Sequence, residues 1–212
     1  MLHVHSFLCN ALAERTYVVY DHATRAAAVV DPGCYTAQER TALSKFITQQ
    51  NLQVTHLINT HAHIDHILGN QYVKDTYAVH LTLHQAEVPI LQAAPQYAPA
   101  YGFGAYQPTE AEVLLTAGAV IQLGATALTV LHVPGHSPGH IALHSAQDQL
   151  CLAGDVLFRG GIGRTDLLGG DRPTLLRSIR EQLFPLGDGV VIYPGHGPNT
   201  TIGAERGQPA LC

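Results

Sequence analysis

Short runs of β-branched and apolar residues, separated by turn residues, open the chain. They predict strands over residues 2–8, 16–20 and 26–30, with a turn at 21–24 between the last two. Thr36 and Glu39 then have the spacing of a capping box, and apolar positions follow at helical spacing. We therefore expect an amphipathic helix that ends near residue 50.

The rest of the chain alternates between the two kinds of pattern. Strands are predicted over 54–59, 78–81, 120–123, 128–133, 141–145, 149–153 and 190–193. Helices are predicted over 65–74, 82–92 and 171–184, with a short helix from residue 200. Asp171 is the expected N-cap of the third of these helices, and Pro173 lies in its first turn.

Residues 93–108 interrupt this pattern with several prolines, glycines and aromatic residues. We expect a long irregular loop that serves as a substrate-facing flap, and a surface excursion is the alternative. No linker divides the chain, so a single domain over residues 1–212 is predicted.

Composition narrows the classes of partner. Hydrophobic residues make up 46% and charged residues 13% of the chain, which is typical of a globular protein and excludes a disordered one. The formal net charge is -5, and no run of lysine or arginine occurs. This argues against a nucleic-acid or anionic-membrane partner.

The cysteines and the N-terminus indicate a cytoplasmic protein. Cys9, Cys34, Cys151 and Cys212 are far apart and form no paired motif, so reduced thiols are expected. The N-terminal residues lack the features of a signal peptide, and no apolar stretch of about 18 residues is present.

Four side chains that can bind metals lie within six residues, directly after the predicted strand 54–59. They are His61, His63, Asp65 and His66. Imidazole nitrogens and carboxylate oxygens are ligands of zinc, iron and manganese. A loop at a strand end can bring their lone pairs together, so we predict a metal site here.

Three further strands end in candidate ligands. His136 and His196 each follow a Pro-Gly pair, and Asp155 follows the strand 149–153. Strand ends at one sheet edge lie side by side, so these residues are expected to join the first cluster. Together the seven side chains suffice for two metals that share Asp155.

The remaining histidines and Asp31 need separate interpretations. His140 and Asp31 are candidates for holding a ligand by a hydrogen bond, with a plain structural role as the alternative. His56 and His132 lie inside strands and are expected to be packed. A third set is expected to be solvated: His3, His5, His22, His80, His84 and His144.

The seven ligand positions, in this order, resemble those of the metallo-β-lactamase superfamily. The resemblance implies an α/β (α+β) fold, an αββα sandwich of two mixed β-sheets flanked by helices. It also implies one metal site at His61, His63 and His136, and a second at Asp65, His66 and His196. Asp155 would bridge the two metals.

Within that superfamily, residues 134–140 and 154–164 resemble those of glyoxalase II, the hydroxyacylglutathione hydrolases. This implies a binuclear hydrolase that cleaves a small-molecule thioester by a metal-bridging hydroxide, which Asp65 would orient. Zinc is the first candidate for the metals, with iron or manganese as alternatives. Class B β-lactamases commonly have cysteine where Asp155 stands, which disfavours antibiotic hydrolysis.

The same resemblance implies the substrate contacts. Arg164 matches a basic position that contacts the glutathione moiety, and a surface ion pair is its alternative role. Full-length glyoxalase II has a further C-terminal helical domain that supplies thiol-binding surface. We expect four aromatic residues of the flap to replace it: Tyr97, Tyr101, Phe103 and Tyr106.

Residues 163–166 resemble a second group with this fold, the persulfide dioxygenases. These enzymes use one iron, which His61, His136 and Asp155 would hold here. Lactonase activity and a non-catalytic metal-binding role are further alternatives. Neither the metal, the thiol nor the oligomeric state follows from the residues.

Overall fold

The computed structural model describes residues 1–208, so Cys212 lies outside the described residues. Six strands form the first sheet in the order β1-β2-β3-β4-β5-β6. Pairing is antiparallel from β1 to β3 and parallel from β3 to β6. The strands are β1 (Leu2–Cys9), β2 (Glu14–Asp21), β3 (Ala26–Val30), β4 (Gln53–Ile58), β5 (Leu81–His84) and β6 (Val113–Leu115).

The second sheet is also mixed, and its order is β14-β13-β10-β9-β8-β7. Only the β10–β13 pair is parallel among the described pairs of this sheet. Its strands are β7 (Val120–Leu123), β8 (Thr126–His132), β9 (Ile141–Ser145), β10 (Leu150–Gly154), β13 (Val191–Pro194) and β14 (Thr200–Thr201). A small separate hairpin joins β11 (Leu157–Phe158) to β12 (Gly161–Ile162).

Helices cover the outer faces of both sheets. They are α1 (Ala37–Gln49), α2 (Ile64–Ile67), α3 (Asn70–Tyr77), α4 (Val88–Tyr97), α5 (Arg172–Ser178) and α6 (Ile202–Glu205). After α5 the chain continues as a π-helical turn over Ile179–Leu183 and a 3₁₀ turn over Phe184–Leu186.

Alternation along the strands separates three layers of core. On β2, Val19 packs between the two sheets, whereas Val18 packs against the helices α1, α3 and α4. A third apolar cluster joins the second sheet to α5 and α6, with Leu175 and Ile202 fully buried. The predicted αββα sandwich of two mixed sheets is therefore confirmed.

Two predicted helix starts are confirmed in detail. The Thr36 hydroxyl accepts from the Glu39 amide at 3.2 Å, and the Glu39 carboxylate accepts from the Thr36 amide at 2.8 Å. The Asp171 side chain accepts from the Thr174 amide at 2.8 Å. Each cap satisfies amides that have no partner inside the helix.

Three predicted elements were wrong in their bounds. The strand predicted over 78–81 is β5 and begins only at Leu81, because Ala78 ends α3 in the left-handed conformation. The helix predicted from residue 82 begins at Val88, after a 3₁₀ turn over Gln85–Glu87. The helix predicted over 65–74 is split into α2 and α3 at Gly69, where a Cβ would lie 2.4 Å from the Cys34 sulfur.

Part of the predicted aromatic loop is helical. α4 includes Pro95 and runs to Tyr97, and a 3₁₀ turn follows over Ala98–Tyr101. Pro95 removes one amide donor, but the buried Ala94 and Ala98 pack on the core and retain the helical path. The irregular part of the segment therefore begins at Gly102.

Two histidines expected in solvent are buried. His84 is 6% exposed and stacks on His132 with ring centroids 4.4 Å apart. His144 is 9% exposed and lies on β9. Within residues 1–208, no helix combines the length and apolar character that crossing a bilayer requires.

Candidate metal centre

Strand direction places all the predicted ligands at one edge of the sandwich. β8 and β10 each pair antiparallel with β9, so they run in the same direction, and β13 runs parallel to β10. The loops after these three strands carry His136, Asp155 and His196. The loop after β4 of the first sheet adds the cluster from His61 to His66, so both sheets contribute.

His61, His63 and His136 form the first group of ligand atoms, which we call triad one. One nitrogen from each lies within 4.8 Å of the others. His63 Nδ1 and His136 Nε2 are 2.9 Å apart, and the buried His61 Nε2 has no hydrogen-bond partner among residues 1–208. Three imidazole nitrogens with this convergence fit a divalent metal.

Asp65, His66 and His196 form a second group, called triad two below. Asp65 Oδ2 lies 3.1 Å from His196 Nε2 and 3.6 Å from His66 Nε2. His66 Nε2 is buried and also has no hydrogen-bond partner in the described part of the chain. This oxygen and the two nitrogens offer a second ligand set, which unlike triad one is mixed.

Asp155 lies between the two triads. Its Oδ2 is 3.6 Å from His136 Nε2 of triad one and 3.6 Å from His196 Nε2 of triad two. Its Oδ1 is 3.6 Å from His66 Nε2 and has no hydrogen-bond partner among the residues that the structure describes. A carboxylate in this position can serve both groups.

The loop that follows β13 is fitted closely around Asp155. A Cβ at Gly195 would lie 2.1 Å from Asp155 Oδ1 and 2.7 Å from His66 Cε1. Only glycine allows the backbone this approach, which gives the Pro-Gly pair before His196 a steric reason.

Burial keeps triad one neutral. Loss of hydration lowers the pKa of His63 to about 3, and the neighbouring His136 adds to the effect. Burial also lowers the pKa of His136 and holds that of His61 well below its ordinary value. Neutral imidazoles expose the lone pairs that a metal requires.

Charge pairing dominates around triad two. Burial alone would lower the pKa of His66, but Asp65 and Asp155 raise it well above its ordinary value. Burial likewise opposes ionisation of Asp155, and His66 outweighs it, so the pKa of Asp155 is lowered. Asp65 follows the same pattern, which keeps both carboxylates ionised.

Asp31 and His140 contact the ligands from outside. Asp31 Oδ2 lies 3.2 Å from His66 Nδ1, the nitrogen opposite to triad two. The same carboxylate accepts from the Thr60 amide and hydroxyl, each at 2.6 Å. His140 Nε2 accepts from the Asp155 amide at 3.0 Å, and its ring stacks on His61. Both residues therefore lie where they can orient a ligand.

The sequence pattern gave no indication that two carboxylates are buried near the site. Glu14, at the start of β2, is fully buried, and its Oε1 lies 3.9 Å from His66 Nδ1. Glu87 is fully buried and accepts hydrogen bonds from both histidine loops. Pro89 indicates only that Glu87 precedes the helix, because proline favours a first turn, and it does not indicate that the carboxylate is buried.

Arg164 lies at the surface beside the site. Its guanidinium forms two hydrogen bonds with Asp166, at 2.7 and 2.8 Å, and both side chains are largely exposed. Its backbone carbonyl accepts from His136 Nδ1 at 2.7 Å, which leaves Nε2 of that ring for triad one. The residue thus contacts a ligand through its backbone and offers a cation to solvent.

The four flap aromatics occupy different environments. Tyr101 is 47% exposed, whereas Phe103 is 3% exposed and packs on Tyr35 in the core instead of on an open wall. Tyr97 and Tyr106 are partly buried, and neither hydroxyl has a hydrogen-bond partner within residues 1–208. Burial raises the pKa of Tyr97 to about 12, with Tyr101 and Asp65 adding to it.

Known proteins resemble this chain over nearly its whole length. A hydroxyacylglutathione hydrolase, GloC of Haemophilus influenzae, is 35% identical over 95% of this chain and 94% of its own. The crystal structure of BLEG-1 B3 metallo-beta-lactamase is 33% identical, with a TM-score of 0.87 over 99% of both chains. The di-iron-bound form of TTHA1623 is 30% identical, with a TM-score of 0.85 over 97% of this chain and 98% of that one.

A family model for the Metallo-beta-lactamase superfamily matches residues 11–196, which include all seven predicted ligands. The fold, the convergent ligand edge and the relatives agree with that match. This chain belongs to the metallo-beta-lactamase superfamily.

Proposed function

We propose that this metallo-hydrolase superfamily member cleaves thioesters of the hydroxyacylglutathione type with two divalent metals. The observation that carries the proposal is the pair of triads with Asp155 between them, at 3.6 Å from a nitrogen of each. Support for the substrate class comes from the name of the Haemophilus influenzae relative. Zinc is the first candidate, and iron is supported by the di-iron form of the related crystal structure.

Bound divalent metals would supply Lewis acidity, which activates water and polarises a carbonyl. Triad one and triad two would each hold one ion, with Asp155 shared. Asp65 would orient the attacking water, because its ionised carboxylate faces the same space as Asp155 and can accept a hydrogen bond. A thiolate leaves readily, so no strong general acid is required from the chain.

Arg164 is the candidate contact for an anionic part of the thiol. Its guanidinium is exposed beside the centre and is paired with Asp166. A carboxylate of the substrate would replace Asp166 with the same two-pronged geometry. Tyr101 is exposed near this cation and is the flap residue best placed to contact the substrate.

β-Lactam hydrolysis is the weaker alternative: a B3 metallo-beta-lactamase shares the fold over 99% of the chain at 33% identity, but Asp155 stands where class B β-lactamases commonly have cysteine. Persulfide dioxygenation is the second candidate, since residues 163–166 resemble that group. It requires one iron on His61, His136 and Asp155, yet triad two is as complete as triad one.

A panel of substrates tests these functions together with metal analysis. The purified protein is loaded with zinc, iron or manganese and given S-lactoylglutathione, an acyl-homoserine lactone, a β-lactam and glutathione persulfide. Thioester hydrolysis with two metals per chain supports the proposal. One iron per chain with oxygen uptake on the persulfide supports the dioxygenase instead, and turnover of the lactam or lactone alone overturns the thioesterase assignment.

A further inference from the structure

Glu87 connects the two loops that carry triad one. It occupies the 3₁₀ turn between β5 and α4 and is completely buried. Its Oε2 accepts from the Ala62 amide at 2.9 Å, and its Oε1 accepts from the Ser137 hydroxyl at 2.5 Å and the Gly139 amide at 2.6 Å. A single carboxylate therefore satisfies three donors from two distant parts of the chain.

Two of the three donors adjoin ligands of one triad, and the third, Gly139, lies in the loop that carries His136. Ala62 is the residue between His61 and His63, and Ser137 directly follows His136. No hydrogen bond of Glu87 reaches a residue that adjoins Asp65, His66 or His196 within the described part of the chain. The contact is thus selective for triad one.

The surrounding packing fixes the position of this carboxylate. A Cβ at Gly139 would lie 2.7 Å from the Glu87 amide nitrogen, so the loop approaches the turn as closely as a glycine allows. At the start of the same turn His84 stacks on His132, whose Nε2 meets the Pro138 carbonyl at 3.1 Å. The turn and the loop after β8 are therefore packed directly against each other.

We propose that Glu87 is a positioning residue that sets the separation of the two halves of triad one. It binds no metal itself. This inference rests on the metal centre of the proposed function and adds that one of its supports reaches triad one alone. Asp31 differs in this respect, because it lies 3.2 Å from His66 Nδ1 of triad two and also accepts from Thr60, the residue before His61.

Glu87→Gln tests this at nearly constant shape. An amide has one acceptor oxygen, so its NH₂ must face either the Ala62 amide or the Ser137 and Gly139 donors. At least one of the two loops then loses its attachment. Substitution of residues that orient metal ligands typically weakens metal affinity about 10- to 100-fold. One zinc-binding step of Glu87→Gln should therefore weaken by that factor, while the affinity of the other step stays within about twofold of wild type.

Glu205→Gln is the matched control. Glu205 is a buried carboxylate that accepts from the Thr200 hydroxyl at 2.5 Å and the Gly160 amide at 2.7 Å. It has the same chemistry as Glu87 but holds no loop of triad one. Ser137→Ala is the second variant, because it removes one donor and adds no new group at the clamp.

Zinc titration against a competing chelator gives the two binding steps, and thermal unfolding of the metal-free proteins gives their stability. Selective loss of one step in Glu87→Gln, with both steps retained in Glu205→Gln, supports the inference. Equal weakening in Glu205→Gln, or two unchanged steps in Glu87→Gln, overturns it. If Glu87→Gln does not fold, an unchanged pair of steps in Ser137→Ala overturns it.

The outcome also separates this inference from the proposed function. A wild-type protein that binds no zinc, iron or manganese overturns both. Normal thioester turnover with two metals in wild type, together with two normal steps in Glu87→Gln, overturns the role of Glu87 alone.

Discussion

Asp155→Asn removes one negative charge from the centre and keeps the shape of the side chain. Asp155 has an exposed fraction of 8% and faces His136, His196 and His66 at 3.6 Å each. Two unit charges about 4 Å apart interact by about 4 kcal/mol at an effective dielectric constant of about 20. Loss of that attraction corresponds to roughly three orders of magnitude in a dissociation constant.

We therefore expect Asp155→Asn to bind zinc more weakly in both steps, by up to about a thousandfold, and to lose thioester turnover with it. Calorimetric titration with a competing chelator measures the affinity, and elemental analysis after gel filtration gives the metal content. Because the side chain lies between the triads, both binding steps should change. A change in one step alone would place Asp155 in a single site.

Asp21→Asn is the control for this substitution. Asp21 is also a buried aspartate, and it accepts from the Ala23 and Ala125 amides at 3.0 and 2.6 Å, away from the ligand loops. It should lower the melting temperature and leave zinc affinity unchanged. Two zinc ions bound by Asp155→Asn with wild-type affinity would refute the bridging role.

Three further predictions follow from charge and burial. The metal-free chain should lose stability as the pH falls below about 6.5, because burial lowers the pKa of most of its buried imidazoles and the unfolded chain then binds more protons than the folded chain. Urea unfolding at pH 7.5 and 5.5 measures this loss, and equal free energies of unfolding at the two pH values would contradict it. Arg164→Ala should raise KM for an anionic thioester more than it lowers kcat, whereas Asp166→Asn should lower KM by freeing the Arg164 guanidinium. Steady-state kinetics of both variants measures this, and KM changes of the same sign would contradict a competition between Asp166 and the substrate for Arg164. Burial raises the pKa of Cys9 and Cys151 to about 12. In a Cys212→Ser background, a thiol reagent should therefore label the native protein slowly and the urea-unfolded protein at once. Rapid labelling of the native protein would contradict the burial of these thiols.

The convergence of the candidate ligands could be predicted from the sequence because each of these residues stands next to its strand. Short-range patterns locate the ends of β4, β8, β10 and β13, and the rule that neighbouring strand ends share an edge brings the ligands together. The capping box at Thr36 was equally local. Such features need no knowledge of distant contacts.

Glu14 and Glu87 could not be predicted in the same way. Glu87 meets Ser137 and Gly139 across 50 and 52 residues of chain, and no local pattern distinguishes it from a solvated glutamate. The prediction that Phe103 faces a substrate was wrong for a related reason. An aromatic residue after a run of prolines and glycines suits a core position or an open wall equally well. Tertiary packing decided both cases.

The edge that carries the candidate ligands draws on both sheets of the sandwich, so a bound metal would tie the abundance of the protein to metal supply. A metal that binds the folded chain and not the unfolded one stabilises it by mass action, by about 4 kcal/mol at a free concentration a thousand times the dissociation constant. A cell short of that metal would hold a larger unfolded fraction, which proteases remove. The level of this protein would then record the metal status of its compartment, before any change in its catalytic rate.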